Sequence, residues 1–394
     1  MAFLLGWNEL LVARPASMGA LCVFFIGSLA HALHWEVGLF GRILFAMLLV
    51  GGMACVNIMG VIWGGRVQNV TTLIKIGFLG LVALLPWAMS WLTAYQPNLN
   101  NYLSRLPAAS GSSPASRFGV ALLAVMWAYN GWHAITQIAE EIREPQRNIP
   151  RALFFGVGLL ILLFLSFNAA LHGALSMEQM AQAREHAAEV MVRMLLGPIG
   201  AAVMSGVILC STFSGINSNL LLGPRIFFAM GRDGVFFTQL ARVHARYRTP
   251  VVAIVVQSLM AIILVITSGV VVKFVAGLEQ RSIFDMLTDF AIFAVSFFYV
   301  LGVLAVLVLR HKHPDWERPY RTWGYPVVPL LFAGFYAWFL TQVYQSKPFE
   351  ANAGLLLVGL GVPVYYGWQA RRRRLRKTET SPLVATGISS GKRE

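Results

Sequence analysis

Charge is scarce in this chain. Asp, Glu, Lys and Arg make up 12% of its 394 residues, about half the share of an average soluble domain. So little charge excludes a water-soluble domain of any size. Cysteine is almost absent: Cys22, Cys55 and Cys210 each lie inside an apolar run. A disulfide framework is therefore not expected, and the three thiols read as small packing residues. No Walker sequence is present, so no ATP-driven pump is visible. No His or Cys cluster has metal-ligand spacing. Single histidines such as His31, His172 and His244 fall at the ends of apolar spans and read as interfacial residues. There is no nucleophile elbow and no in-membrane carboxylate pair for hydrolysis. Neither a metal nor a cofactor is expected, and an enzyme is not. The N-terminus has no basic region ahead of its first apolar run, so no cleavable signal peptide is expected.

What the chain does have is apolar length. Hydrophobic residues make up 57% of it. Apolar spans run at 3–33, 39–63, 71–93, 118–138, 151–174, 197–222, 250–270, 282–309, 325–345 and 352–369. Each is long enough to cross a hydrocarbon core of about 30 Å. The expected fold class is an all-α polytopic membrane protein of about ten helices in the lipid bilayer, with residues 1–370 as the membrane domain. The formal net charge of +14 does not indicate nucleic acid. Eight of the 31 Lys and Arg lie after Trp368, in a basic tail, 371–394, expected to be disordered and cytoplasmic. Arg66, Lys75, Arg225, Arg232, Arg242, Arg246, Arg248, Arg310, Lys312, Arg318 and Arg321 fall on that same side. The opposite side carries fewer basic residues over comparable loop length, including Arg42, Arg117, Arg184 and Lys347. The basic side is cytoplasmic, and an even number of spans puts both termini there. The segment 94–117, rich in Pro, Ser, Asn and Gly, reads as an exposed outer loop.

The most informative stretch is 118–151, FGVALLAVMWAYNGWHAITQIAEEIREPQRNIPR. Its apolar run is interrupted by Ala128-Tyr129-Asn130-Gly131-Trp132 and ends in the charged residues Glu140, Glu141, Arg143, Glu144, Arg147 and Arg151. Gly and Asn among aromatics in mid-membrane point to a broken helix. Unwound backbone is tolerated at that depth only where it lines a cavity or is buried in protein. Its free carbonyls and amides can bind a zwitterion, and the adjoining half-helix ends favour charge of the opposite sign. Trp127, Ala128, Tyr129, Asn130, Gly131 and Trp132 are the candidate substrate-binding residues. The blander alternative is helix packing by Gly and aromatics.

This stretch resembles the amino acid–polyamine–organocation permeases, most closely their L-type amino acid transporter branch. Three more segments agree, in order and with natural spacing: GWNELLVARPAS (Gly6 to Ser17), RVQNVTTLIK (Arg66 to Lys75) and STFSGINSNLLLGPRIFFAMGRDG (Ser211 to Gly234). They are similar to that family's third helix, its loop into helix five, and its helix eight with the following loop. The resemblance implies an inverted-repeat transporter fold and places residues 1–394 at family helices three to twelve. No run here resembles the Gly-rich first helix that holds the substrate's carboxylate and amino groups. A start site placed too far downstream, a gene fragment and a shortened protein are the three readings of that difference. On this mapping, residues 1–394 by themselves are expected to show no saturable uptake.

The resemblance also implies roles. Trp127 stands where the family has an aromatic gate. Asn130 stands where Gly is frequent, and His133 where Asn is frequent. Lys75 stands in the region that holds a sodium ion in related folds, with Ser211, Thr212, Ser214, Asn217 and Ser218 as polar partners for coupling or gating. Without the resemblance, Lys75 reads as a snorkelling interfacial lysine and the hydroxyls as backbone-bonded packing residues. The segment 34–40, HWEVGLF, lacks the cysteine that eukaryotic L-type members use to bond a glycoprotein, so no disulfide-linked glycoprotein partner is expected. Glu9 and Arg14 lie five apart, a poor same-face spacing on an α-helix, and Arg14-Pro15 reads as an end turn or kink. The expected function is secondary active transport of amino acids by alternating access, exchanging or proton-linked, in a bacterial-type inner membrane. The alternative is a truncated, non-transporting membrane protein that binds or senses.

Overall fold

The computed structural model describes residues 2–59, 61–104, 114–275, 281–318 and 320–379, and within these it leaves out the side chains of 61–67, Glu141, Glu185 and 371–379. The Arg66 side chain, part of the loop 94–117 and residues 380–394 of the tail therefore lie outside the description. The described residues form helices joined by short turns, with no strand among them. Among the described residues, ten helices are long and apolar enough to cross a membrane: α1 Ala2–Ala32, α2 Leu39–Met59, α3 Gln68–Leu92, α4 Pro114–Glu140, α5 Pro145–Ala174, α6 Ala187–Arg232, α7 Val251–Phe274, α8 Ile283–Lys312, α9 Val327–Ser346 and α10 Pro348–Ala370. Each expected span overlaps one of them. The helix of α10 continues to Glu379, into the basic tail.

α1 is the hub. It packs against α2, α6, α7 and α8, and 61% of its most apolar stretch is buried, against none for α5. Its buried residues include Ala16, Ala20 and Cys22, small enough to let neighbouring backbones approach. The outer helices expose Leu73, Leu81, Phe155, Leu162 and Leu331, which is the surface a bilayer requires.

Two helices depart from the straight spans expected. In α1, residues Glu9–Ala13 form a π turn, and the α-helix resumes at Arg14 with Pro15 in its first turn. Arg14-Pro15 therefore neither ends nor caps the span, because the extra residue of the π turn accommodates the proline. In α6, 46 residues would extend about 69 Å at 1.5 Å per residue, more than twice the hydrocarbon thickness. The helix breaks at Gly197, whose φ of 71° and ψ of −163° only glycine adopts freely. The limb 187–196 precedes the break. It follows a short helix, Met177–Ala183, opened by a Ser176–Gln179 capping box. Apolar length alone missed both pieces, because the expected span began at the break.

The connections sort by side. On the basic side, Arg232 reaches Glu140, Thr249 Oγ1 donates to the Ile58 carbonyl at 2.9 Å, and Phe3 packs on Phe236. On the opposite side, the Asn98 amide and the Tyr95 hydroxyl donate to the Gly173 carbonyl, which closes the loop after α3 over the end of α5. A charge cluster sits at that side too. Arg281 Nη1 lies 2.6 Å from Glu350 and 3.3 Å from Asp289, and Lys347 Nζ lies 2.9 Å from Asp289.

Candidate functional site at the broken helix

α4 breaks where its sequence indicates. The limb Pro114–Ala128 is α-helical, and residues 129–131 form a turn. The Tyr129 amide still bonds the Val125 carbonyl, but the Asn130 amide turns to Trp127 at 3.1 Å. Gly131 has φ 106°, and the chain continues as a 3₁₀ helix, Trp132–Glu141. A Cβ on residue 131 would meet no heavy atom within 4 Å. Glycine is needed there for its backbone conformation, which costs other residues about 1–2 kcal/mol, and not for space.

The break is held from α8. The Tyr299 hydroxyl donates to Asn130 Oδ1 at 3.1 Å and lies 2.8 Å from His133 Nδ1. A phenol has one proton, so with that proton on Asn130 the histidine presents Nδ1–H to the phenol oxygen. Trp132 packs against the Tyr299 ring at 5.4 Å, and Tyr336 of α9 meets it edge-on at 5.7 Å. A cavity of about 40 Å³ lies against the break, lined by Met126, Tyr129, Asn130, Trp132, Ile292, Val295, Ser296, Tyr299 and Tyr336. That is room for a few waters. Of the candidate residues, Tyr129, Asn130 and Trp132 line it. Trp127 packs edge-on against Phe284 instead, and Ala128 is exposed. Sequence reasoning missed Tyr299, Ser296 and Tyr336. The one available signal was a tyrosine within an apolar span, whose hydroxyl needs a partner when buried.

The π turn of α1 packs against α8. Here Arg14 Nε donates to Glu9 Oε2 at 3.0 Å, with both residues buried. The five-residue spacing that fails on an α-helix succeeds on a π turn, whose backbone bonds run i to i+5. Asn8 Oδ1, Asn8 Nδ2 and Arg14 Nη2 are buried without a hydrogen-bond partner, so unsatisfied polar groups sit beside the pair.

The polar residues of α6 are engaged. Ser214 Oγ accepts from Thr71 at 2.9 Å and donates to Gln68 Oε1 at 3.2 Å, and Asn217 Oδ1 accepts from Asn57 at 3.2 Å. Thr212 donates to the Ile208 carbonyl at 2.7 Å, Ser218 donates to that of Ser214 at 3.0 Å, and Ser211 is half-buried. Lys75 is half-buried on α3 and makes no hydrogen bond or ion pair with the described residues. Thr71 and Gln68, one and two turns earlier in the same segment, tie α3 to α6 in its place. At the basic side, Arg232 grips Glu140 with both Nη atoms, at 3.2 and 2.9 Å. Glu141 lies outside the described side chains.

Among the described residues, one group of His, Cys, Asp and Glu draws its donor atoms together: His31, His186 and Glu189, at the other end of α1. It is not part of this site.

A family model for amino acid permeases matches residues 1–362. The chain belongs to that family, within the amino acid–polyamine–organocation superfamily. The permease is 29% identical to the serine/threonine exchanger SteT of Bacillus subtilis, over 94% of its own length and 79% of that protein's. It is 26% identical to the human cystine/glutamate transporter, over 93% and 68% of the two chains. To the mouse large neutral amino acids transporter small subunit 2 it is 28% identical, over 92% of its own length and 65% of that protein's.

Proposed function

We propose that the permease is a secondary transporter of amino acids that works by alternating access and holds its substrate at the break of α4. One observation carries this reading: a helix interrupted at Tyr129–Gly131 faces a small, mostly apolar cavity with Asn130, Ser296 and Tyr299 in its wall, in a chain that belongs to the amino acid permeases. A half-helix end and turn backbone there offer amides and carbonyls to a zwitterion. Asn130, Ser296 and Tyr299 add side-chain donors and acceptors, and Trp132 and Tyr336 add apolar surface. In this reading Trp127, Ala128 and Gly131 shape the backbone around the substrate, with Trp127 as its gate. Lys75 acts with Ser211, Thr212, Ser214 and Asn217 in coupling between α3 and α6.

Exchange is the favoured mode, because a serine/threonine exchanger is among the relatives. The Glu140–Arg232 fork, with Arg143, Arg147 and Arg151 nearby in the chain, is the candidate inner gate. The positive-inside rule sets the basic side and both termini in the cytoplasm of a cell membrane, without a disulfide-linked partner.

The test uses the protein as its gene encodes it, with any segment encoded ahead of residue 1 included, in proteoliposomes preloaded with single amino acids. Labelled neutral amino acid outside should enter saturably, and faster when an amino acid is present inside. Entry that no internal or external amino acid alters would overturn the proposal.

A further inference from the structure

At the end of α1 remote from the π turn, three side chains from different parts of the chain meet. His31 lies in the last turn of α1, His186 in the short turn before α6, and Glu189 in the first turn of α6. His31 Nε2 is 3.3 Å and His186 Nδ1 is 3.7 Å from the same carboxylate oxygen, Glu189 Oε2. The three donor atoms all lie within 4.8 Å of one another. The two imidazoles stack with centroids 4.0 Å apart at 25°, which turns one nitrogen of each toward Glu189.

These contacts are not ordinary hydrogen bonds. Among the described residues, none of the three side chains makes one, and no lysine or arginine pairs with the buried carboxylate. Two protonated imidazoles stacked face to face would repel. The 3.3 Å separation is that of neighbouring ligands around one ion, and a small side-chain adjustment brings the 3.7 Å one to it. With bonds of about 2.0–2.1 Å in a tetrahedral arrangement, neighbouring donors stand about 3.3–3.4 Å apart.

We propose that His31, His186 and Glu189 bind a divalent transition-metal ion of the zinc class. Two imidazole nitrogens with one carboxylate suit zinc or cobalt, whereas magnesium and calcium prefer all-oxygen sites. His186 and Glu189 are spaced i,i+3, one turn apart on one face, and His31 supplies the third ligand from α1. The exposure is graded: 9% for the Glu189 side chain, 29% for His186 and 48% for His31. The charge is sheltered while the imidazole side stays open, giving the ion an entry path and a fourth position for water. An ion there ties the hub helix to the limb 187–196, just ahead of the Gly197 break. The site is independent of the substrate site, and its test does not require transport.

The test is metal binding by the full chain carrying a tag without histidine. Zinc titrated against a chromophoric chelator should bind at one ion per chain. His31→Ala, His186→Ala and Glu189→Gln should each weaken the dissociation constant at least about tenfold, with unchanged gel-filtration elution. Cobalt should give the visible absorption of a four-coordinate ion, lost in the same variants. In case a variant does not fold, zinc should also protect His31 and His186 of the unaltered protein from diethyl pyrocarbonate, read by mass spectrometry. Binding that survives all three substitutions, absence of stoichiometric binding, or absence of protection would each overturn the proposal.

Discussion

Taking one oxygen from Tyr299 leaves two polar atoms of α4, on Asn130 and His133, without their partner. A buried polar group left unsatisfied costs about 1–3 kcal/mol. Tyr299→Phe should therefore lower thermal stability in detergent and weaken amino acid binding, while the edge-on ring packing with Tyr336 persists. A variant as stable as the parent would mean that the hydroxyl does not hold the break. Gly131 gives a second test at the same scale. Its cost to other residues is conformational, so Gly131→Leu should lose about 1–2 kcal/mol. Gly131→Asn should lose clearly less, since Asn tolerates the left-handed region. Equal losses would point to sterics, against the open space around that position. The break was legible because Asn and Gly stand among aromatics in an apolar run. Its partner was not, since an apolar period does not tell which face of α8 meets α4. The same gap hid the direction of Trp127, which the sequence places beside the break and the fold turns onto Phe284.

At the scale of elements, the π turn decides what the α1 sequence means. Glu9 and Arg14 are off-face on a 3.6-residue helix and paired on the turn that exists. A period read from sequence assumes the regular helix, so the pair was illegible until the backbone was known. Breaking a buried pair by removing one partner costs about 3–5 kcal/mol, whereas removing both is often nearly neutral. Arg14→Met should thus destabilise strongly, and Arg14→Met with Glu9→Gln should recover much of the loss in a thermal melt. A double variant no better than the single would show that the two charges do not act as a pair. The α3–α6 tie separates stability from coupling. Thr71→Val removes a bond to Ser214 and should cost roughly 0.6–1.7 kcal/mol, the range found for bonds between membrane helices. Lys75→Met breaks no hydrogen bond in this structure, so it should leave the melt unchanged yet reduce uptake. Unaltered uptake would remove Lys75 from the coupling role.

Over the whole molecule, the number of helices and the side of each loop were readable because the bilayer imposes both, by length and by charge. The fold supports the side assignment independently of charge. Phe3 meets Phe236, Arg232 meets Glu140 and Thr249 meets Ile58 at one end, and Tyr95 meets Gly173 and Lys347 meets Asp289 at the other. Ten alternating spans bring those positions together in that grouping and in no other. What the contacts leave free is which end faces the cytoplasm, and there only charge speaks. Arg143, Arg147, Arg151, Arg225, Arg232, Arg242, Arg246, Arg248, Arg310, Lys312, Arg318 and Arg321 gather at the first end. At the second end, Arg281 and Lys347 are neutralised by Glu350 and Asp289, which widens the asymmetry. A fluorescent protein that matures only in the cytoplasm should therefore light up when fused after Glu394, and stay dark when inserted in 94–117. Alkaline phosphatase, active only outside, should give the mirror result. If both reporters reverse, the molecule is inverted: the Glu140–Arg232 fork becomes an outer gate, and the His31–His186–Glu189 cluster opens to the cytoplasm.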